Sequence, residues 1–115
     1  MGGRIYEINM ATSTLDTRLI PTVQYAAPET GATVTVNNTG HVRLILNPAG
    51  SLLALTVTLP GSPSDGDMIE LGCSQVVTTL TMNGGTIVGG LTSFAVGGFA
   101  SYAYSSTGAS WFRIG

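Results

Sequence analysis

The chain has 115 residues, a formal net charge of −2 and only 9% charged residues, against about 25% in an average soluble domain. That length suits one domain, able to bury about two-thirds of the surface its unfolded chain exposes. Four Arg and no Lys are too few cations to neutralise a phosphate backbone or hold a polybasic patch on anionic lipid, so neither nucleic acid nor a membrane is expected as a partner.

Residues 1–30 show weak periodicity. "RIYEINM" alternates as one short strand with Tyr6, Ile8 and Met10 on one face, and "ATSTLDTRLIPTVQYAAPETG" follows with two prolines. This stretch is expected to be an extended N-terminal arm, packed on something rather than free because it carries so few charges; the alternative is an irregular lead-in whose strand belongs to the domain's own sheet. Arg4, Glu7, Asp16 and Arg18 interrupt any apolar run of signal-peptide length. No run approaches the roughly 18 apolar residues of a membrane span.

From residue 31 to 115 the pattern has period two, which predicts half-buried strands. Val34 and Val36 alternate with Thr33 and Thr35. Val42, Leu44 and Leu46 alternate with Arg43 and Ile45, and Leu53, Leu55, Val57 and Leu59 with Ala54, Thr56 and Thr58. Ile69, Leu71 and Cys73 follow, then Val76, Thr78, Leu80 and Met82, with shorter segments around Ile87, Phe94 to Val96, "FASYAYS" and "SWFRI". Gly- and Asn-rich turns separate these runs at intervals of about 8 to 12 residues. No helix and no sequence repeat of solenoid type is evident. The expected fold is all-β, a small antiparallel sandwich or barrel, jelly-roll-like. Its expected core is Val34, Val36, Val42, Leu44, Leu46, Leu53, Leu55, Val57, Leu59, Ile69, Leu71 and Leu80.

The corner "LPGSPSDGDMIEL" (59–71) raises the question of a site. Asp65, Asp67 and Glu70 could offer oxygen ligands to calcium, but the stretch lacks the acidic positions of a calcium loop. Pro63 presets φ, Asp65 can bond back to the backbone and Gly66 can take a positive φ, so the corner reads as a turn. Asp65 with Glu70 could form a glycosidase pair, yet nothing beside them suggests a sugar subsite. His41 has no Cys or His partner at ligand spacing and no nucleophile elbow accompanies it, so it is expected at a strand end. The Gly-Gly pairs lack the following helix of a phosphate-binding loop. Asn37-Asn38-Thr39 matches a glycosylation acceptor without a secretion signal to give it meaning. Cys73 stands alone, a buried small hydrophobe that forms no intramolecular disulfide. No catalytic residue, metal site or cofactor is expected, and the chain reads as a non-enzyme.

The mean hydropathy of +0.36 with so little charge suggests a surface largely covered by other subunits, since obligate interfaces resemble domain cores. Tyr102, Tyr104, Trp111 and Phe112 are candidates for core or subunit-interface residues, or for glycan stacking if they are exposed.

"TVTLPGSPSDGDMIEL", "VTTLTMNGGTIVGG" and "SYAYSSTGASWFRIG" together resemble a small β module of tailed-bacteriophage virion structural proteins, found in capsid decoration (cement) proteins and at the ends of head and tail fibres. The likeness covers residues 31 to 115. It implies a non-enzymatic virion protein, commonly a homotrimer, bound to the major capsid protein on the outer capsid surface. The alternative it implies is a fibre module or tip that binds host-surface carbohydrate. The absence of a long shaft within these residues favours decoration. On that reading Arg4, Ile5, Tyr6, Ile8 and Met10 of the arm are the capsid-binding residues, added to a capsid sheet by strand augmentation.

Overall fold

A computed structural model describes residues 21–37 and 40–115. The proposed arm residues Arg4, Ile5, Tyr6, Ile8 and Met10, and Asn38 and Thr39 of the glycosylation match, lie outside the described residues. Within them the protein is all-β, with no helix and nine strands: β1 (Thr22–Ala26), β2 (Ala32–Thr35), β3 (His41–Leu46), β4 (Leu52–Thr58), β5 (Met68–Cys73), β6 (Val77–Asn83), β7 (Ile87–Val88), β8 (Phe99–Ser105) and β9 (Ser110–Arg113). Part of the stretch expected as an arm, residues 22–30, thus holds β1 and the connection to β2.

The strands form a six-stranded sheet, β1-β3-β5-β8-β9-β7, and a three-stranded sheet, β2-β4-β6. Consecutive strands from β1 to β6 alternate between the two sheets, and every pairing among them is parallel. The chain therefore coils, each turn laying one strand on each sheet. This solenoid-like winding of parallel strands is what separates the fold from the expected antiparallel sandwich. A parallel neighbour needs a long crossover, and here the strand on the opposite sheet supplies it. The turns differ in length: Thr22 lies opposite Val42 and Val42 opposite Ile69 in one sheet, Ala32 opposite Leu55 and Leu55 opposite Leu80 in the other. Unequal spacing hides the repeat from sequence inspection.

Side chains stack in columns between the sheets. Val42, Ile69 and Tyr102 form one column, Leu44, Leu71 and Ala100 another, and Leu55 and Leu80 a third from the three-stranded side. Eleven of the twelve expected core residues are buried. Leu53 is 73% exposed and Leu52 is buried in its place. The cause is a broken pleat: the consecutive amides of Leu53 and Ala54 both donate to Thr30 Oγ1 at 3.1 Å. Leu52 and Leu55 then face inward three residues apart, as Val77 and Leu80 do one turn later. This also corrects the expected face of β6, in which Val77 rather than Val76 joins the core. Gly84 permits the tight stacking of turns. With φ at +108°, it sits where a Cβ would lie 2.4 to 2.9 Å from Leu59 backbone atoms.

The coil is closed at its C-terminal end by a change of direction. β8 runs antiparallel to β5, β9 antiparallel to β8, and β7 parallel to β9. Phe94 and Thr92 cover the edge of β6, with Phe94 exchanging backbone hydrogen bonds with Val77 and Thr92 accepting from Leu80. At the other end Gln24 does comparable work with a side chain. Its Nε2 donates to the Thr35 carbonyl (2.7 Å) and its Oε1 accepts from the Asn37 amide (3.0 Å). A parallel neighbour would bond to the same two backbone groups, so this amide stands in for a further strand and blunts the β2 edge.

The corner at 59–67 is structural. Ser64 N–H donates to Asp67 Oδ2 (2.9 Å), Asp67 N–H donates to the Ser64 carbonyl (3.0 Å), and Gly66 has φ +88°. Asp65 Oδ1 accepts from both the amide (2.8 Å) and the hydroxyl (3.2 Å) of Ser106, tying the corner to the β8–β9 hairpin.

Candidate interaction face

The two sheets share one core but present different outer faces. On the three-stranded sheet the outward positions stack as Thr33, Thr56 and Thr81 in one row and Thr35, Thr58 and Asn83 in the next. β-branched hydroxyl side chains are well suited to a solvated sheet surface. The six-stranded sheet is different. Register places Tyr25, Ile45, Gly72 and Phe99 side by side across four strands, and Val23, Arg43, Glu70 and Ser101 in the row next to it. Tyr25 is 60% and Phe99 70% exposed, and Val23, Ile45 and Val88 on the same side are exposed too. Large exposed apolar side chains gathered on one face mark an interaction surface more often than scattered ones do.

Gly72 opens a gap in the apolar row. Its φ lies outside the left-handed region, and a Cβ there would meet nothing closer than the Gly98 carbonyl oxygen at 3.7 Å, an ordinary contact. Neither backbone conformation nor internal packing demands glycine, and glycine inside a strand costs about 0.5–1 kcal/mol relative to alanine. The result is a notch one side chain deep, between Ile45 and Phe99. Their strands are two spacings apart, about 10 Å.

Polar groups frame the notch and hold one another in place. Ser74 Oγ donates to Asn47 Oδ1 (2.7 Å), and Asn47 Nδ2 donates to the Tyr25 hydroxyl (2.9 Å), which fixes the Tyr25 ring at the end of the row. In the row beyond, Glu70 Oε1 accepts from Arg43 Nε (2.8 Å) and is hydrogen-bonded to His41 Nε2 (2.9 Å). Arg43 first and His41 second hold the Glu70 carboxyl below its ordinary range by favouring its charged form, against a smaller opposing effect of burial. His41 opens β3, and its partner is this carboxylate.

The aromatic candidates divide. Tyr102 (0% exposed) and Trp111 (1%) are core residues of the single chain, which removes both from any subunit contact or glycan surface. The Tyr102 hydroxyl donates to the Gly89 carbonyl (3.0 Å) and accepts from Leu91 N–H (3.2 Å), and burial pushes its pKa up. Tyr104 is half-buried with its ring edge against Trp111, centroids 5.5 Å apart. Phe112, also half-buried, stands on the outer side of the sheet next to exposed Val88. Sequence reading missed Tyr25, Ile45, Gly72 and Phe99. The signal in the sequence is that Tyr25, Ile45 and Phe99 take outward positions in these strands where the three-stranded sheet carries mostly threonine. It does not mark a face by itself, because strands distant in sequence become neighbours only once the chain coils.

Among the described residues no group of three or more His, Cys, Asp or Glu is placed to hold a metal ion. No helix among them is long and apolar enough to cross a membrane. No known protein family, curated protein or solved structure shows significant similarity to this chain.

Proposed function

We propose that the protein is a non-enzymatic structural component of a phage virion, a capsid decoration protein that binds the outer surface of the major capsid protein and stabilises the shell. The observation that supports this best is the open apolar face of the six-stranded sheet on a chain with 9% charged residues. Such a face is suited to permanent protein contacts. The other support is the resemblance of the three segments quoted above to phage virion modules. In this reading Arg4, Ile5, Tyr6, Ile8 and Met10 attach the domain to the capsid, and copies of the domain associate with one another. Deleting residues 2–10 should sharply reduce binding to undecorated capsids while leaving the circular dichroism spectrum unchanged. Retained capsid binding would remove the arm from the mechanism.

A fibre module that binds carbohydrate is the second reading. Exposed Tyr25 and Phe99 favour it, in place of the buried Tyr102 and Trp111, because an exposed ring beside hydrogen-bonding groups can stack on a sugar. Saturable binding on a glycan array, abolished by Phe99→Ala, would select it over decoration.

A further inference from the structure

We infer that the outer face of the six-stranded sheet packs against the same face of a second copy of this chain, with Phe99 of one copy seated in the Gly72 notch of the other. This rests on the self-association in the reading above and names its surface.

Two observations lead there. Gly72 has no conformational or internal steric need to be glycine, and an unexplained glycine inside a strand marks a place where another group approaches closely. Its neighbour in the register is Phe99, 70% exposed, so ring and notch lie side by side in one row. A surface carrying both is complementary to itself. Reciprocal seating about a two-fold axis closes a pair of copies.

The charges on the face also fit a neutral partner surface. Arg43 and His41 are both turned to Glu70, so no cationic surplus is left for an anionic polymer or lipid. The size is adequate as well. Six strands at about 4.8 Å and about five residues at 3.3 Å span about 500 Å² in plan before side-chain relief is added, close to the ~600 Å² per partner at the lower end of specific interfaces. Face-to-face packing leaves the threonine face of the other sheet turned outward.

The test uses the full chain at micromolar concentration in sedimentation velocity. The wild type should sediment as an oligomer. Gly72→Leu, which fills the notch, and Phe99→Ser, which removes the ring, should each weaken association at least tenfold with unchanged circular dichroism. Thr56→Glu on the opposite face should leave the oligomer intact. If Gly72→Leu fails to fold, Phe99→Ser alone decides, since an exposed ring is not needed for the core. A benzophenone side chain at position 99 should cross-link to residues 68–74 of another copy. A monomeric wild type, an oligomer indifferent to Phe99→Ser, or a cross-link mapping elsewhere overturns the inference. A monomer that saturably binds capsids or glycans through Phe99 overturns it too, and identifies the occupant. Capsid binding by the same samples is scored separately, so an oligomer that ignores capsids refutes decoration and leaves this interface standing.

Discussion

The two sheets contribute alike to the interior and oppositely to the exterior. Leu55, Val57 and Leu80 from one and Leu44, Ile69 and Leu71 from the other are equally buried. Yet the outward rows read Thr33-Thr56-Thr81 on one side and Tyr25-Ile45-Gly72-Phe99 on the other. Inward positions are constrained by packing and outward ones are not. The apolar character of one outer face is therefore not dictated by the packing of the core, and it suits the contacts outside the chain proposed above.

The sharpest check on that contrast compares two glycines. Gly84→Ala should destabilise the domain by about 3 kcal/mol or more, because a Cβ would collide with Leu59 backbone at a positive φ. Gly72→Ala should be neutral or stabilise by up to about 1 kcal/mol. Urea unfolding measures both. Comparable losses at the two positions would mean that the notch is demanded by the fold and the outer face is not free to serve a partner.

Next in size is the pair at the broken pleat. Leu52→Ala should cost about 2–5 kcal/mol, whereas Leu53→Ala, one residue on and pointing away from the core, should stay within about 0.5 kcal/mol of wild type. Reversal of the two would restore simple alternation in β4. Tyr102→Phe follows at about 1–2 kcal/mol, since it strips Gly89 C=O and Leu91 N–H of their buried partner. A neutral result would show that this hydroxyl is dispensable to the closing strands.

The smallest effect is that of pH on the outer face. Because Arg43 and then His41 depress the Glu70 pKa in the folded state, their contribution is fully present above the ordinary value of 4.5 and is lost as pH falls through the depressed one. The wild type should be slightly more stable than Glu70→Gln at pH 7, and the difference should shrink below pH 4.5. Partial exposure of the group keeps the difference small. A difference that grows as the pH falls below 4.5 would rule out the stabilising ion pair.

Strand positions and the apolar alternation were legible in the sequence because period two is a local property: Val42, Leu44 and Leu46 each alternate within one strand, whatever that strand pairs with. The turn chemistry of Pro63, Asp65 and Gly66 was legible for the same reason. Leu53 was misplaced because a pleat is broken by a hydroxyl 23 residues away, Thr30, bonding two consecutive amides. Parallel rather than antiparallel pairing was equally hidden, since alternation is identical for both and the turns of the coil differ in length.

Neighbours along the chain suffice for an all-β domain with an apolar interior, few charges and structural corners. Contacts between strands distant along the chain are what make the strands coil in parallel, put Tyr102 and Trp111 inside, and bring Tyr25, Ile45, Gly72 and Phe99 together on one face. Those four residues come from four different strands, and a surface assembled across strands exists only once the register between them is set.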